Sequence, residues 1–386
     1  MARPKFTSSL STASYVLLLL AAIAPPLYHG LNAKPQTDFV IDSAATLNKN
    51  PAAMTMGYAC EACIVPAVHG ANLIETLDGG LLATWFGGSR EGGRDVVLWA
   101  ATLPPGSSNW STPHRIIGPS ETRTALGRYI KTVGNSVLAR GEQNTLWLFY
   151  VSVSVGGWAM SSLNAVLSHD EGKTWDVPRR LITSPFLNVS TLNKTAAIHF
   201  SDGSIGLPVY HELIGKFSQL LLLDQTGRVL DKIRMTSGRL SIQPMVIALD
   251  SQQAISLMRD SGPKPGRVRV SRSKDAGQHW STEARLHLAN ADSAVTGLRR
   301  PDGSLLLVYN DTESGRSSLA LAVSRDQGQN WNTVKHLEQS PDSTSEFSYP
   351  YLIRTGNGTM HLLYTWNRTR IRHISFNDNW VDGYKP

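Results

Sequence analysis

The sequence predicts an all-β protein dominated by one β-propeller of six four-stranded antiparallel blades, and three observations carry that prediction. The 386 residues include 32 Gly, 20 Pro and 10 Trp, with 41% hydrophobic and 17% charged side chains. That composition favours strands and turns over helices and supplies enough apolar surface for a large core. The pattern Ser-x-Asp-x-Gly-x-x-Trp occurs three times, from Ser168 to Trp175, Ser273 to Trp280 and Ser324 to Trp331. A second, independent series of tight-turn signals recurs at Asp78-Gly79, Arg140-Gly141, Asp202-Gly203, Asp250-Ser251, Asp302-Gly303 and Asn357-Gly358. Six turns imply six units of about 50 residues, each read as strand, turn, strand, box turn, strand; such units close radially and leave a central mouth where loops converge.

From the amino terminus, Arg3 and Lys5 precede an apolar stretch from Tyr15 to Ala24, and no acidic residue occurs before Asp38. This reads as an export signal over residues 1–33, either cleaved or kept as an anchor, for a periplasmic or secreted protein. The apolar stretch is about half of the roughly 20 residues a spanning helix needs. Residues 34–58 read as a linker and residues 59–386 as the propeller. The two cysteines stand in Cys60-Glu-Ala-Cys63 with only His69 close by. That is too few ligands for zinc, and no strand-to-helix junction of a thioredoxin-like unit follows, which leaves a local disulfide or two packed thiols. The net charge of +7 is spread without a long basic run or an aromatic-interleaved stripe. Nucleic acid is therefore not an expected partner, and an acidic carbohydrate is.

The boxes read as turns between antiparallel strands, with worn copies at Asp224 to Gly227 and ahead of Trp110. An Asp in such a turn accepts hydrogen bonds from its own backbone, and the Trp packs between blades. Asp170, Asp275 and Asp326 are therefore expected to be structural and peripheral, not catalytic. In blade 1, glycines at 87, 88, 92 and 93 flank Arg90 and Glu91. Such a loop lets backbone approach a ligand closely.

The boxes, together with Trp85-Phe-Gly-Gly-Ser-Arg90-Glu91-Gly-Gly-Arg-Asp95, Leu207-Pro-Val-Tyr210-His211-Glu212, Gln243-Pro244, Met258-Arg259-Asp260 and Ser348-Tyr349-Pro350, resemble the sialidase (neuraminidase) superfamily. The likeness is to its bacterial predicted-neuraminidase branch with Asp-box (BNR) repeats, and it covers roughly Ala59 to Phe376. The resemblance implies an exo-glycosidase that hydrolyses a terminal acidic sugar from a glycan, with no cofactor and no metal. Sialidases hold the substrate carboxylate with three arginines, whose planar forks make bidentate, charge-assisted hydrogen bonds. Two carry over to Arg259 and Arg316; the first is lost, because Ile64-Val65-Pro66 stands where an Arg-Ile-Pro motif would. The tyrosine nucleophile carries over to Tyr349, and the acid/base aspartate to Asp95, with Arg90 and Glu91 as loop neighbours on the substrate side. The glutamate that serves as the tyrosine's base is lost, because its position falls on Gln243.

Tyr210 and His69 complete the candidate set, His69 as a replacement base where the first strand enters the mouth. Tyrosine and histidine beside arginines also equip a polysaccharide lyase acting on a uronate-containing glycan. The two losses suit, in addition, a glycan-binding propeller without catalysis. Hydrolysis is expected ahead of elimination, with binding alone third. With one arginine short, ordinary sialosides are expected to bind weakly.

Overall fold

Every one of the six tight-turn signals joins the first two strands of a blade in the computed structural model, which describes residues 11–31, 37–41, 46–48 and 50–383. Blade 1 runs outward through Ala67–Glu75, Leu81–Gly88, Val97–Leu103 and His114–Ile117. Blade 2 follows with Thr132–Arg140, Leu146–Val153, Ser161–Ser168 and Arg179–Arg180. In blade 3 the inner position is split into Leu192–Asn193 and Ile198–His199, both paired with Ile205–His211, ahead of Phe217–Leu223 and Val229–Arg234. Blade 4 comprises Ser241–Ala248, Ala254–Asp260, Arg267–Ser273 and Ala284–Ala289. Blade 5 comprises Thr296–Arg299, Leu305–Tyr309, Ser318–Ser324 and Asn332–Gln339. Blade 6 takes Phe347–Arg354, Met360–Trp366 and Arg370–Phe376 from the end of the chain, and its outermost strand, Met54–Cys60, from the beginning. That closing strand starts inside the stretch expected to be linker.

Six apolar clusters fill the ring, each at the seam between two neighbouring blades. A blade is therefore covered on both faces. This is why strands such as Leu305–Tyr309 and Leu146–Val153 are buried along their whole length and read as unbroken apolar runs. The boxes behave as expected. In the first, Ser168 Oγ donates to Asp170 Oδ1 and accepts from Gly172 N, each at 2.8 Å, while Asp170 Oδ1 accepts from Thr174 N at 2.8 Å. The same bonds recur around Asp275 and Asp326. Trp175, Trp280 and Trp331 pack into the seams of blades 1/2, 3/4 and 4/5.

Cys60 and Cys63 form a disulfide. Thr12–Leu31 is a helix, and no helix among the described residues is long and apolar enough to cross a membrane. Phe39 and Val40 lie against blade 3, where Val40 N donates to His199 O and the Phe39 ring packs 5.2 Å from Phe200.

A C-terminal helix, Asp378–Asp382, locks blade 6 to blade 5. Its Asp378 accepts from fully buried Arg300 Nε at 2.8 Å, and Asp382 accepts from Arg300 Nη1 at 3.0 Å. Asp378 also accepts from Asn48 N at 2.8 Å. Removing one partner of a buried pair leaves an uncompensated charge, so Asp378→Ala should cost about 3 kcal/mol in chemical denaturation. The double variant Asp378→Leu/Arg300→Met, which replaces both charges by apolar volume, should cost clearly less than Asp378→Ala alone. Equal losses in the two variants would contradict this account.

Candidate active site

The mouth lies where the inner strands begin and the second strands end. In four blades the inner strand carries an irregularity at that end, between His69 and Asn72, Gly134 and Val137, Ile242 and Met245, and Ser348 and Tyr351. A left-handed residue sits in each: Gly70 at φ 67°, Asn135 at 40°, Gln243 at 51° and Tyr349 at 56°. Side chains other than glycine adopt this conformation at a cost of about 1 to 2 kcal/mol. Bulges beside a site re-aim side chains, and here Gln243 is turned onto Tyr349, while Asn135 and Gln243 both reach Tyr210.

Tyr349 Oη accepts from Gln243 Nε2 at 3.1 Å and from Arg259 Nη1 at 3.3 Å. Arg259 Nη1 also donates to Gln243 Oε1 at 3.2 Å, which fixes the amide with its NH2 group toward the phenol. Beneath them Tyr210 Oη accepts from Gln243 Nε2 at 3.3 Å and from Asn135 Nδ2 at 3.2 Å. Burial, followed by the neighbouring Tyr349, pushes the Tyr210 phenol well above its usual range. Tyr210 is therefore a neutral support and does not reach the open mouth, whereas Tyr349 is half-buried and does.

Arg259 and Arg316 come together as expected. Arg259 Nε donates to Asp292 Oδ1 at 2.6 Å, and Arg316 Nη2 to the Asp292 carbonyl at 3.0 Å. Arg316 pairs with Glu346 at 3.0 Å, while Glu313 takes Arg267 instead. The Arg316 guanidinium also lies 5.7 Å from the Tyr349 ring centre. A third arginine, not foreseen from the sequence, stands beside them. Arg368 donates from Nε to Glu346 Oε2 at 2.7 Å and from Nη1 to Glu91. Burial works to raise the Glu346 carboxyl, but the bonds from Arg368 and from Ser348 outweigh it and hold it below its usual range.

The other expected residues divide. Arg90, Glu91 and His69 line one narrow crevice with Arg368. Asp95 does not join Tyr349. It accepts from Ser89 N at 2.7 Å and Ser89 Oγ at 2.9 Å, bonds that lower its pKa and hold the exposed loop together. Close packing there requires Gly93, where a Cβ would come within 2.6 Å of Asp95 Oδ1. His69 lies 4.1 Å from the Tyr349 ring, but it is 3% exposed and neither ring nitrogen has a hydrogen-bond partner. Burial, then the charges of Arg368, Arg316, Lys194 and Arg259, hold it well below the usual imidazole range. In this geometry it packs against Tyr349 at the wall of that crevice, with no hydrogen-bond partner and its charged form disfavoured, which does not support its expected role as a base at the mouth.

The residues that sequence reasoning missed are Arg368, Glu346, Asp292 and Lys194. Arg368 had a signal: Asn367 and Arg368 are the central residues of the tight turn between Met360–Trp366 and Arg370–Phe376, with φ of 47° and 56°. Glycine is favoured at the second position of such a turn, so an arginine there is conspicuous.

The sequence pattern of the BNR repeat-like domain family matches residues 79–362. The chain belongs to this family. Among solved structures, the BNR repeat-like chain is similar to the Hadza microbial sialidase Hz136, with TM-score 0.68 and 17% identity over 84% of this chain and 69% of that one. It is also similar to the NanB sialidase of Streptococcus pneumoniae, with TM-score 0.65 and 11% identity over 88% and 73% of the two chains. The intramolecular trans-sialidase of Ruminococcus gnavus gives TM-score 0.64 and 13% identity over 86% and 98%. At these identities the similarity establishes the sialidase-like propeller. A comparison with curated proteins finds no match.

Lys194 Nζ is buried without a hydrogen-bond partner and lies 5.4 Å from the ring centres of both Tyr349 and Tyr351. Burial pushes it down to about 7, against ~10.4 for an unfolded lysine. Between those values the unfolded state binds more protons, so stability rises with pH across that window, while below about pH 7 the full cost of burying the ammonium is present. Lys194→Met should therefore raise the unfolding midpoint most near about pH 6, and its advantage should shrink by about 1 kcal/mol per unit above pH 7. An advantage that does not vary with pH would contradict a buried, depressed amine.

Proposed function

We propose that this BNR repeat-like protein is an exported carbohydrate-active enzyme that hydrolyses a terminal acidic sugar from a glycan. The observation that supports this best is the pair of hydrogen bonds from Arg259 and Gln243 onto Tyr349 Oη at the open mouth. In this reading Tyr349 attacks the anomeric carbon, and Asp95 first protonates the leaving oxygen and then takes a proton from water. Arg259, Arg316 and Arg368 face the sugar carboxylate, so the clamp has three guanidiniums, although the first of the expected three is absent from the sequence. Gln243 takes no proton. It donates, with Arg259, to the phenolate oxygen formed when the phenolic proton passes to solvent, a charge that is consumed as the tyrosine attacks and reappears as it departs. The similar Ruminococcus gnavus trans-sialidase is solved in complex with oseltamivir carboxylate, a carboxylate-bearing ligand. Export rests on Arg3, Lys5 and the apolar stretch after them, which we read as a signal over residues 1–33 preceding a propeller whose first strand begins at Met54.

A second reading is favoured by Gln243 itself. Without a carboxylate base beside it, Tyr349 could abstract the proton next to a uronate carboxylate while the arginines stabilise the resulting anion, which is elimination. Mass spectrometry of products from sialosides and uronate-containing oligosaccharides separates the two. Gain of water at the cleaved bond identifies hydrolysis, and an unsaturated, ultraviolet-absorbing product identifies elimination; binding without any product would overturn both. For hydrolysis, Tyr349→Phe and Asp95→Asn should each lower kcat by roughly a hundredfold or more, and His69→Ala should have little effect. A lyase should be insensitive to Asp95→Asn.

A further inference from the structure

We infer that Glu91 is an internal stand-in for the substrate carboxylate, occupying Arg368 until an acidic sugar exchanges for it. The inference rests on the acidic-sugar reading above. Arg368 holds two carboxylates that are not equivalent. Glu346 binds Arg368 at 2.7 Å, Arg316 at 3.0 Å and Ser348 Oγ at 2.6 Å, and its side chain is 21% exposed. Glu91, among the described residues, pairs with Arg368 alone and is 34% exposed. A single, partly solvated ion pair contributes little and yields to a competing anion, whereas a carboxylate with three partners does not.

The two sides of the Glu91–Arg368 contact also differ in stiffness. Arg368 is held in its left-handed turn, and its carbonyl accepts from Val68 N at 2.7 Å. Glu91 rides on the 88–95 loop, between Gly88 and the pair Gly92-Gly93, with Gly92 at φ 70°. When the contact breaks, the loop moves and the arginine stays. A neutral sugar offers Arg368 nothing in exchange for Glu91 and leaves that contact in place, so only an anionic ligand releases the loop. The loop that is released carries Asp95, so carboxylate recognition and delivery of the acid/base to the scissile bond become one event.

The test compares wild type with Glu91→Gln in two measurements. Amide hydrogen exchange of residues 88–95 is followed without sugar, and affinities for sodium N-acetylneuraminate, sodium glucuronate and their methyl esters are measured by calorimetry. The inference requires faster exchange of the loop in Glu91→Gln. It also requires tighter binding of at least one carboxylate by up to about fivefold, the competing strength of an exposed ion pair, with no change for the esters. Unchanged loop exchange, or carboxylate affinity that stays level or falls, overturns it while leaving the acidic-sugar reading intact. If neither protein binds a carboxylate probe, the acidic-sugar reading fails and the exchange fails with it.

Discussion

The arrangement of the mouth depends on one set of backbone hydrogen bonds, those between Met54–Cys60 and Arg370–Phe376. A propeller has no central core to fall back on: each blade is stable because its two faces are covered, and an open ring would leave two faces bare. Closing the sixth blade with the first strand of the domain joins the chain ends in one sheet. The Arg300 clasp on Asp378 and Asp382 then holds that sheet to blade 5. Tyr349 and Arg368 belong to this composite blade, whereas Arg259 and Arg316 come from blades 4 and 5. The distance between Tyr349 and the arginines of blades 4 and 5 is thus set by ring closure, not by contacts among these residues alone.

Within the closed ring, the difficulty is to hold three guanidiniums side by side. Like charges at such range repel unless anions are interposed. The connections that enter the inner strands provide them: Asp292 ahead of blade 5 takes Arg259, and Glu346 ahead of blade 6 takes both Arg316 and Arg368. Burial raises the Asp292 carboxyl, yet the Arg259 hydrogen bond and charge prevail and keep it ionised. These carboxylates orient the arginines, leaving other guanidinium edges for a ligand.

The architecture was legible in the sequence because tight turns and boxes are local. Asp78-Gly79 or Ser324 to Trp331 specifies its own hairpin whatever surrounds it, and the period then fixes the blade count. Tyr349, Arg259, Arg316 and Gln243 were legible through resemblance, and the structure brings those four together. The rest depends on contacts between distant segments. Arg368 and Glu346 meet only because blade 6 is closed, and Glu91 reaches them from another blade. Asp95 lies on its Gly-rich loop bonded to Ser89, and no hydrogen bond joins it to Tyr349. The left-handed residues had one local sign: Pro244 and Pro350 interrupt apolar runs directly after Gln243 and Tyr349, and a proline inside an inner strand marks a bulge.

The glutamine at 243 then takes on a meaning beyond the loss of a base. Arg259, Arg316, Arg368 and the partly protonated Lys194 face Asp292, Glu346 and Glu91, so the mouth carries at least as much positive as negative charge before any ligand arrives. A glutamate in place of Gln243 would add an anion directly against Arg259 and Tyr349 and spend that guanidinium on an internal partner. On the proposed reading, the amide leaves Arg259 free to attract an incoming carboxylate, and exchanging Glu91 for that carboxylate leaves the local charge unchanged. Such a site would favour capture of an anionic sugar over strong activation of the tyrosine, with binding and loop release, not deprotonation, governing turnover.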